Sequence, residues 1–168
     1  MDTVVTPEMQ AALGTEISRK QSYPVDASDI RRWALAVYWP EEPPTRFLGT
    51  ADEPTLTAPE DFNPFAWRVL DISQHPAASG IDPNDPDRTE RQIGVAGPGL
   101  KFQLNGGMEA TYGAAIRPGD TITSVSRLAG YTEREGRLGH MLISTTEDTW
   151  TNQVGELVKR TQQTIIRY

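Results

Sequence analysis

The sequence contains no cysteine among its 168 residues, and it has only two histidines, His75 and His140. The lack of cysteine excludes disulfides, thiolate metal sites and cysteine nucleophiles. Because the two histidines lie far apart in the sequence, a metal cage of several histidines cannot be built from one chain, and we expect no bound metal. A chain without cysteine also fits the cytoplasm, which is the location that we expect.

Long apolar runs and basic clusters are missing too. No apolar run approaches the roughly 18 residues that a membrane span needs. The N-terminal stretch MDTVVTPEMQAALG has neither the basic start nor the apolar segment of a signal peptide. The net charge is −7, and no stretch is rich in lysine and arginine. We therefore expect neither a membrane nor a nucleic acid as a partner.

The composition that remains is that of a single globular domain spanning residues 1–168, with 37% hydrophobic and 23% charged residues. A short helix is predicted in residues 6–17 and an extended strand in residues 18–26. The clearest helix is DASDIRRWALAVY, which Asp26 or Ser28 can cap. Its apolar residues fall at i, i+3, i+4 and i+7 and predict one buried face. They are Ile30, Trp33, Ala34 and Val37.

The second half of the chain has strand-like content. Four such segments follow one another, separated by the turn-forming stretches RPGD, REGR and NQVGE. They are residues 100–116, 121–133, 138–150 and 157–168. Helices followed by an antiparallel meander predict an α+β domain of about five strands with a helix packed on one sheet face.

Between these halves lies a long loop at about residues 73–99, which is rich in proline, glycine and aspartate and poor in large apolar residues. Loops of this length inside a domain are usually functional or mobile. We expect this loop to be the most mobile part of the chain and to form the rim of a pocket.

The C-terminal half resembles the second half of MaoC-like hydratases. The similarity is carried by a GG-x-E strand, by R-P-G-D before a long hairpin and by TNQVGELV before the last strand. The chain is more closely similar to the N-terminal, fungal-synthase-like dehydratase domain of that superfamily, also through IRRWALAVY and TAPEDFNPFAW. The resemblance implies a hot-dog fold, in which an antiparallel sheet wraps a central helix. It also implies coenzyme A thioesters as substrates and pairing of two hot dogs.

The catalytic motif of this superfamily, D-x-N-P-x-H, is incomplete here. The family places it directly after the amphipathic helix, where this chain has YWPEEPPTRF, with Glu41 and Glu42 but no Asp and no His. Asp61 and Asn63 form D-F-N-P further along, within APEDFNPFAW. We interpret that match as chance, with both residues forming a turn; the alternative is that they are catalytic.

Several other residues are candidates for the site, each with an ordinary structural role as the alternative. Phe62, Phe65 and Trp67 could line an acyl pocket or belong to the core. Gly106 and Gly107 could admit a thioester close to the backbone or form a bulge. Glu41 and Glu42 could be an acid–base pair or a solvated loop. His75 could be an exposed loop residue, and His140 a sheet residue bonded to a neighbour.

The resemblance, together with the incomplete motif, implies a pocket-forming subunit of an (R)-specific 2-enoyl-CoA hydratase or dehydratase, without its own complete Asp/His dyad. A second MaoC-like chain would supply the dyad in a heterodimer or heterotetramer. The alternative is a stand-alone acyl-CoA-binding or inactive hot-dog homodimer. Coenzyme A enters as part of the substrate and no other cofactor is expected. The acyl group, which could be a fatty acid, a branched acid or a steroid side chain, is left open.

Overall fold

Three helices and five strands form the part of the chain that the structure, a computed structural model, describes, namely residues 3–66, 80–82, 84–137 and 139–168. The helices are α1 (Pro7–Ala11), α2 (Ala27–Tyr38) and α3 (Arg88–Gln92), with a 3₁₀ turn at Thr45–Phe47. The strands are β1 (Glu16–Gln21), β2 (Gln103–Tyr112), β3 (Thr123–Gly136), β4 (Gly139–Thr151) and β5 (Leu157–Arg167). All five strands belong to one antiparallel sheet, as the predicted α+β class requires.

The strand order in the sheet is β1-β3-β4-β5-β2. Strands β3, β4 and β5 form the predicted meander, but β2 pairs with β5 at one edge and not with β3, which follows it in sequence. The connection over residues 113–122 forms backbone hydrogen bonds with residues outside β3. The Ala114 N–H donates to the Leu157 carbonyl at 2.8 Å, and the Ala58 N–H donates to the Ile116 carbonyl at 2.8 Å.

Helix α2 forms where its sequence predicts it. The Asp26 carboxylate accepts a hydrogen bond from the Ser28 N–H at 2.6 Å and caps the first turn. Ile30 and Ala34 are buried, as their spacing predicts, whereas Val37 is 49% exposed. The prediction for Val37 is wrong because this end of the helix borders an open groove instead of the core.

The core consists of two clusters on the sheet face that carries both Trp150 and Leu142. One cluster joins Ile30 of α2, Phe62 and Ile122 to Trp150. The other joins Val5 and Met9 of the N-terminal segment to Leu142. Trp150 and Leu142 are eight residues apart on β4, which is about 26 Å along a strand. The apolar core is therefore concentrated toward the two ends of the sheet.

A buried ion network fixes helix α3 to the last strand. The Arg167 guanidinium, 1% exposed, donates to Glu90 Oε1 and Oε2 at 2.7 and 2.9 Å and to Asp87 Oδ1 at 3.2 Å. The Tyr131 hydroxyl of β3 donates to Glu90 Oε1 at 2.6 Å. Burial is the main cause, and the hydrogen bond to the Glu90 carboxylate the second, of a pKa of Tyr131 that is raised above its ordinary value. The hydroxyl therefore keeps its proton.

This network anchors part of the long loop over residues 73–99, whose mobility stays a prediction. Residues 73–79 and 83 lie outside the described residues. Residues 88–92 form a helix, and the Gly99 N–H donates to the Asp87 carboxylate at 2.9 Å. The polar segment around α3 has little apolar surface to bury, and the ion pairs of Asp87 and Glu90 with Arg167 attach it to the sheet instead.

Candidate functional site

An open groove lies at the end of the sheet where β2 finishes. Its volume is about 610 Å³, and a smaller cavity of about 100 Å³ adjoins it, since both are lined by Ala58, Pro59, Glu60, Tyr112 and Ala115. The far wall of the groove comes from the end of α2 and the loop that follows it. That wall consists of Val37, Tyr38, Arg46 and Phe47.

The segment of residues 57–61 forms the floor of the groove because three interactions fix it. The Thr57 N–H donates to the Arg46 carbonyl at 3.0 Å, and the Phe62 N–H donates to the Pro59 carbonyl at 3.0 Å. Phe62 is 1% exposed and meets Trp33 edge-on with ring centroids 5.6 Å apart. This anchored phenylalanine leaves Glu60 and Asp61 exposed at the groove.

The two aromatic residues of this segment that the structure describes have different surroundings. Phe62 lies in the core. Phe65 is half-buried, packs edge-on against Trp150 with centroids 5.2 Å apart and has the Lys20 ammonium 4.5 Å from its ring centroid. Trp67, the third candidate, and His75 lie outside the described residues.

Asp61 and Asn63, the residues of D-F-N-P, have different positions in the turn. The Asn63 carboxamide oxygen accepts the Phe65 N–H at 3.0 Å, the bond by which asparagine stabilises a turn. Asp61 is exposed and lines the groove. A catalytic role for Asp61 therefore depends on what binds in the groove, whereas Asn63 stabilises the turn.

Lys159 lines the small cavity beside the groove and contacts two aromatic rings. Tyr112, Lys159 and Trp150 are direct cross-strand neighbours on β2, β5 and β4. The Lys159 ammonium lies 5.2 Å from the Tyr112 ring centroid and 5.1 Å from that of Trp150, within the range of cation–π attraction. Sequence reasoning missed Tyr112 and Lys159, because finding them requires the pairing of β2 with β5.

The loop after α2 contributes to the groove without any proton-transfer pair of the family type. Arg46 and Phe47 line the groove, whereas Glu41 and Glu42 are exposed and are not among its lining residues. Among the residues that the structure describes, no group of three or more His, Asp or Glu side chains could hold a metal ion. The same residues include no helix long and apolar enough to cross a membrane.

Gly106 and Gly107 form a bulge in β2, where the register with β5 shifts between Asn105 and Gly107. The Gly107 N–H donates to the Asn105 side-chain oxygen at 3.0 Å, and the φ of Gly107 is +126°. A Cβ on Gly106 would lie 2.9 Å from the Thr164 methyl carbon. These glycines therefore bend the edge strand, and a role in thioester binding stays a prediction.

Gly107→Ala should lower the free energy of unfolding by about 1–3 kcal/mol, because an L-residue is strained at this φ. The measurement is urea denaturation followed by circular dichroism. Gly130→Ala is the matched control in β3, since open space surrounds its added methyl group and its φ is not in the left-handed region. Equal losses in the two variants would show that the Gly107 conformation is not required.

His140 lies at the opposite end of β4 from the groove. Its Nε2 is 2.9 Å from Glu133 Oε1 and its Nδ1 is 3.1 Å from Glu135 Oε1. Only a protonated ring can donate to both carboxylates. The hydrogen bond to Glu133 has the largest effect and that to Glu135 the next, and both raise the pKa of His140. Hydrogen bonds from Thr3, then His140, then the Val4 N–H lower the pKa of Glu133 to about 2. His140 is thus a sheet residue bonded to its neighbours.

This arrangement predicts a pH-dependent contribution to stability. The pKa of His140 is raised in the folded state above its ordinary value of 6.5, so its contribution is fully present below pH 6.5 and is lost as pH rises through the raised value. The stability difference between the wild type and His140→Gln should therefore be greatest in mild acid and should shrink in alkali. Urea denaturation of both proteins at a series of pH values measures this difference. A difference that does not change with pH would contradict the prediction.

Comparisons with known proteins agree with this architecture. Residues 11–161 match the family described as FAS1-like, dehydratase domain region. Among solved structures, the chain is similar to the ChsH1-ChsH2 complex from Mycobacterium tuberculosis, at 17% identity over 96% of this chain and 87% of that chain with a TM-score of 0.60. No curated protein sequence matches the chain significantly.

Two further solved structures are similar. The C-terminally truncated HadBC (3R-hydroxyacyl-ACP dehydratase) complex from Mycobacterium tuberculosis matches at 16% identity over 92% of this chain and 96% of that chain, with a TM-score of 0.52. R-hydratase PhaJ1 from Pseudomonas aeruginosa, in its unliganded form, matches at 13% identity over 92% of this chain and 81% of that chain, with a TM-score of 0.50. At these identities the likeness concerns the fold, and it confirms the predicted hot-dog fold.

Proposed function

The chain belongs to the FAS1-like dehydratase domain region family of the MaoC-like hot-dog superfamily, and on that premise we propose that it is the non-catalytic, pocket-forming subunit of an (R)-specific 2-enoyl-CoA hydratase or dehydratase. Its substrate is an acyl thioester of coenzyme A. A second MaoC-like chain carries the Asp/His dyad, and the two chains together form the active site.

One observation carries this proposal. The loop after α2, where the resemblance places the dyad, forms a wall of the groove with Tyr38, Arg46 and Phe47. Hydration adds a water hydroxyl to C3 of the enoyl group and a proton to C2, so a general base and an acid must lie beside the double bond. The groove offers the carboxylates of Glu60 and Asp61, and none of the described residues that line it is a histidine. We therefore assign the dyad to another chain.

Two cations near the groove, which also carries the carboxylates of Glu60 and Asp61, support the binding of a coenzyme A thioester. Arg46 lines the groove and Lys159 lines the adjoining cavity. Both are cations that can pair with phosphate groups. A thioester can thus be oriented with its phosphates toward Arg46.

The edge of the sheet offers a place for the second chain. All ten residues of β2 are exposed, and β2 is an edge strand that pairs with β5. Unpaired edges are natural sites for strand addition by another chain. In the solved relatives, the ChsH1-ChsH2 and HadBC structures are complexes. By analogy, a second hot dog covers β2 here.

Co-expression with a chain of similar length that carries an intact D-x-N-P-x-H motif tests the proposal. We expect the two chains to purify together and to hydrate a 2-enoyl-CoA, followed as loss of the enoyl absorbance. Each chain alone is the control. If this chain alone hydrates the thioester at an ordinary enzymatic rate, the split active site is wrong. A stable monomer at micromolar concentration in sedimentation would contradict the predicted pairing.

A further inference from the structure

A trough of polar side chains runs along the sheet face beyond Lys159. It is a depression of about 370 Å³ lined by residues of all five strands. One cross-strand row of its floor passes through β1, β3, β4 and β5. Those four residues are Ser18, Ser126, Asp148 and Thr161. Because side chains alternate along a strand, Thr146 and Gln163 point to the same face in the next row.

The trough lies next to the small cavity beside the groove. Trp150 and Lys159 line both the trough and the small cavity beside the groove. On its far side the trough joins a further depression of about 400 Å³ next to α3, with which it shares Thr146 and Gln163. From Lys159 to Gln163 along β5 is about 13 Å. An acyl chain that passes Lys159 therefore enters the trough.

The lining of the trough is unsuited to an alkyl chain. Nine of its eleven lining residues are polar or charged, and Met108 and Trp150 are the other two. Both oxygens of Asp148 already have partners, since Oδ1 accepts the Ser124 hydroxyl at 2.6 Å and Oδ2 accepts the Trp150 indole N–H at 2.8 Å. The carboxylate is thus held against the sheet by these two hydrogen bonds.

The hydroxyls around this fixed carboxylate are free. Ser126, Thr146 and Thr161 are half-buried, and within the described part of the chain their hydroxyls have no hydrogen-bond partner in the protein. An alkyl chain lying over them would remove their water without replacing its hydrogen bonds, which is unfavourable. A ligand hydroxyl can donate to and accept from these same groups.

We propose that the trough selects an acyl group that carries hydroxyl groups, over a plain alkyl chain of the same length. This proposal rests on the proposed function, because it takes the thioester to be bound at the groove and the acyl group to extend past Lys159. It narrows the substrate class from any acyl-CoA to a hydroxylated acyl-CoA, with Ser126, Thr146 and Thr161 as its specificity-determining residues.

Binding of two matched ligands, octanoyl-CoA and ω-hydroxyoctanoyl-CoA, to the co-purified two-chain complex tests the proposal by calorimetry. We expect the hydroxylated thioester to bind about tenfold more tightly, because a site built for hydroxyl groups disfavours an analogue that lacks them. Thr146→Val combined with Thr161→Val keeps the side-chain shape and removes two hydroxyls, so it should erase most of that preference. Thr145→Val combined with Thr164→Val, a directly paired couple on the opposite sheet face, is the control and should keep the preference.

Each outcome separates the two proposals. Equal or tighter binding of octanoyl-CoA overturns the selection of hydroxylated acyl groups and leaves the binding of acyl-CoA intact. A preference that survives in the Thr146→Val, Thr161→Val variant also overturns it, because the trough is then not its source. If neither thioester binds, the acyl-CoA function itself fails and this inference fails with it.

Discussion

Replacing the histidine of the partner's D-x-N-P-x-H motif should lower hydration by the two-chain complex by about 10²–10⁴-fold, which is the contribution of a general base. The same assay on Asp61→Ala in this chain should show turnover within about threefold of the wild type, because exposed side chains outside the chemistry have small effects. The contrast follows from the groove, where Asp61 is an exposed residue of the floor.

Two readouts make this contrast decisive. Co-purification of the two chains shows that each variant still folds and assembles, and the KM for the enoyl thioester reports changes in binding. Asn63→Ala is a companion variant. Because it removes the hydrogen bond to the Phe65 N–H, it should lower the free energy of unfolding and leave kcat nearly unchanged. If Asp61→Ala abolishes turnover while assembly and KM are unchanged, D-F-N-P is an active-site motif and our assignment of the family motif to the loop after α2 is wrong.

Arg167→Met should lower the free energy of unfolding by about 3–5 kcal/mol, because it leaves buried carboxylates without their cation. Glu90 is 0% exposed and Asp87 4%, so water cannot replace the guanidinium. Urea denaturation measures the loss. The matched control is Arg19→Met, which breaks the surface pair with Glu16 and should cost at most about 1 kcal/mol, since that pair is solvated.

A second variant distinguishes charge from packing in this network. Arg167→Met combined with Glu90→Gln removes the cation together with one of the two carboxylates. It should therefore recover part of the stability lost in Arg167→Met. Absence of any recovery would mean that the methionine disturbs packing and that the buried charge is not the cause. Amide exchange at residues 88–92 should become faster in Arg167→Met, because the network attaches this helix to the sheet.

Local signals in the sequence account for much of the fold. Asp26, the apolar spacing after it and the prolines beyond Trp39 define α2, and the turn stretches separate the late strands. These features depend on neighbours within a few residues, so a single sequence contains them. The bulge at Gly107 belongs with them, because glycine in a strand is a local indication of an irregular backbone.

Features that depend on distant partners could not be predicted in the same way. Glu90 in a polar stretch suggests a solvated residue, and only its pairing with Arg167, 77 positions away, makes it a buried one. The place of Lys159 beside Tyr112 requires the pairing of β2 with β5. The groove likewise forms because residues 57–61 approach the end of α2, and no local pattern encodes that approach.

The exposed strand β2 has a consequence for the protein in the cell. Leu104, Met108 and Tyr112 lie on this open edge and are 46%, 66% and 42% exposed, and such an edge is a template for aggregation when it stays unpaired. On the pairing proposed above, a chain synthesised without a second chain to cover β2 should therefore aggregate or be degraded, and its abundance should follow the supply of that second chain.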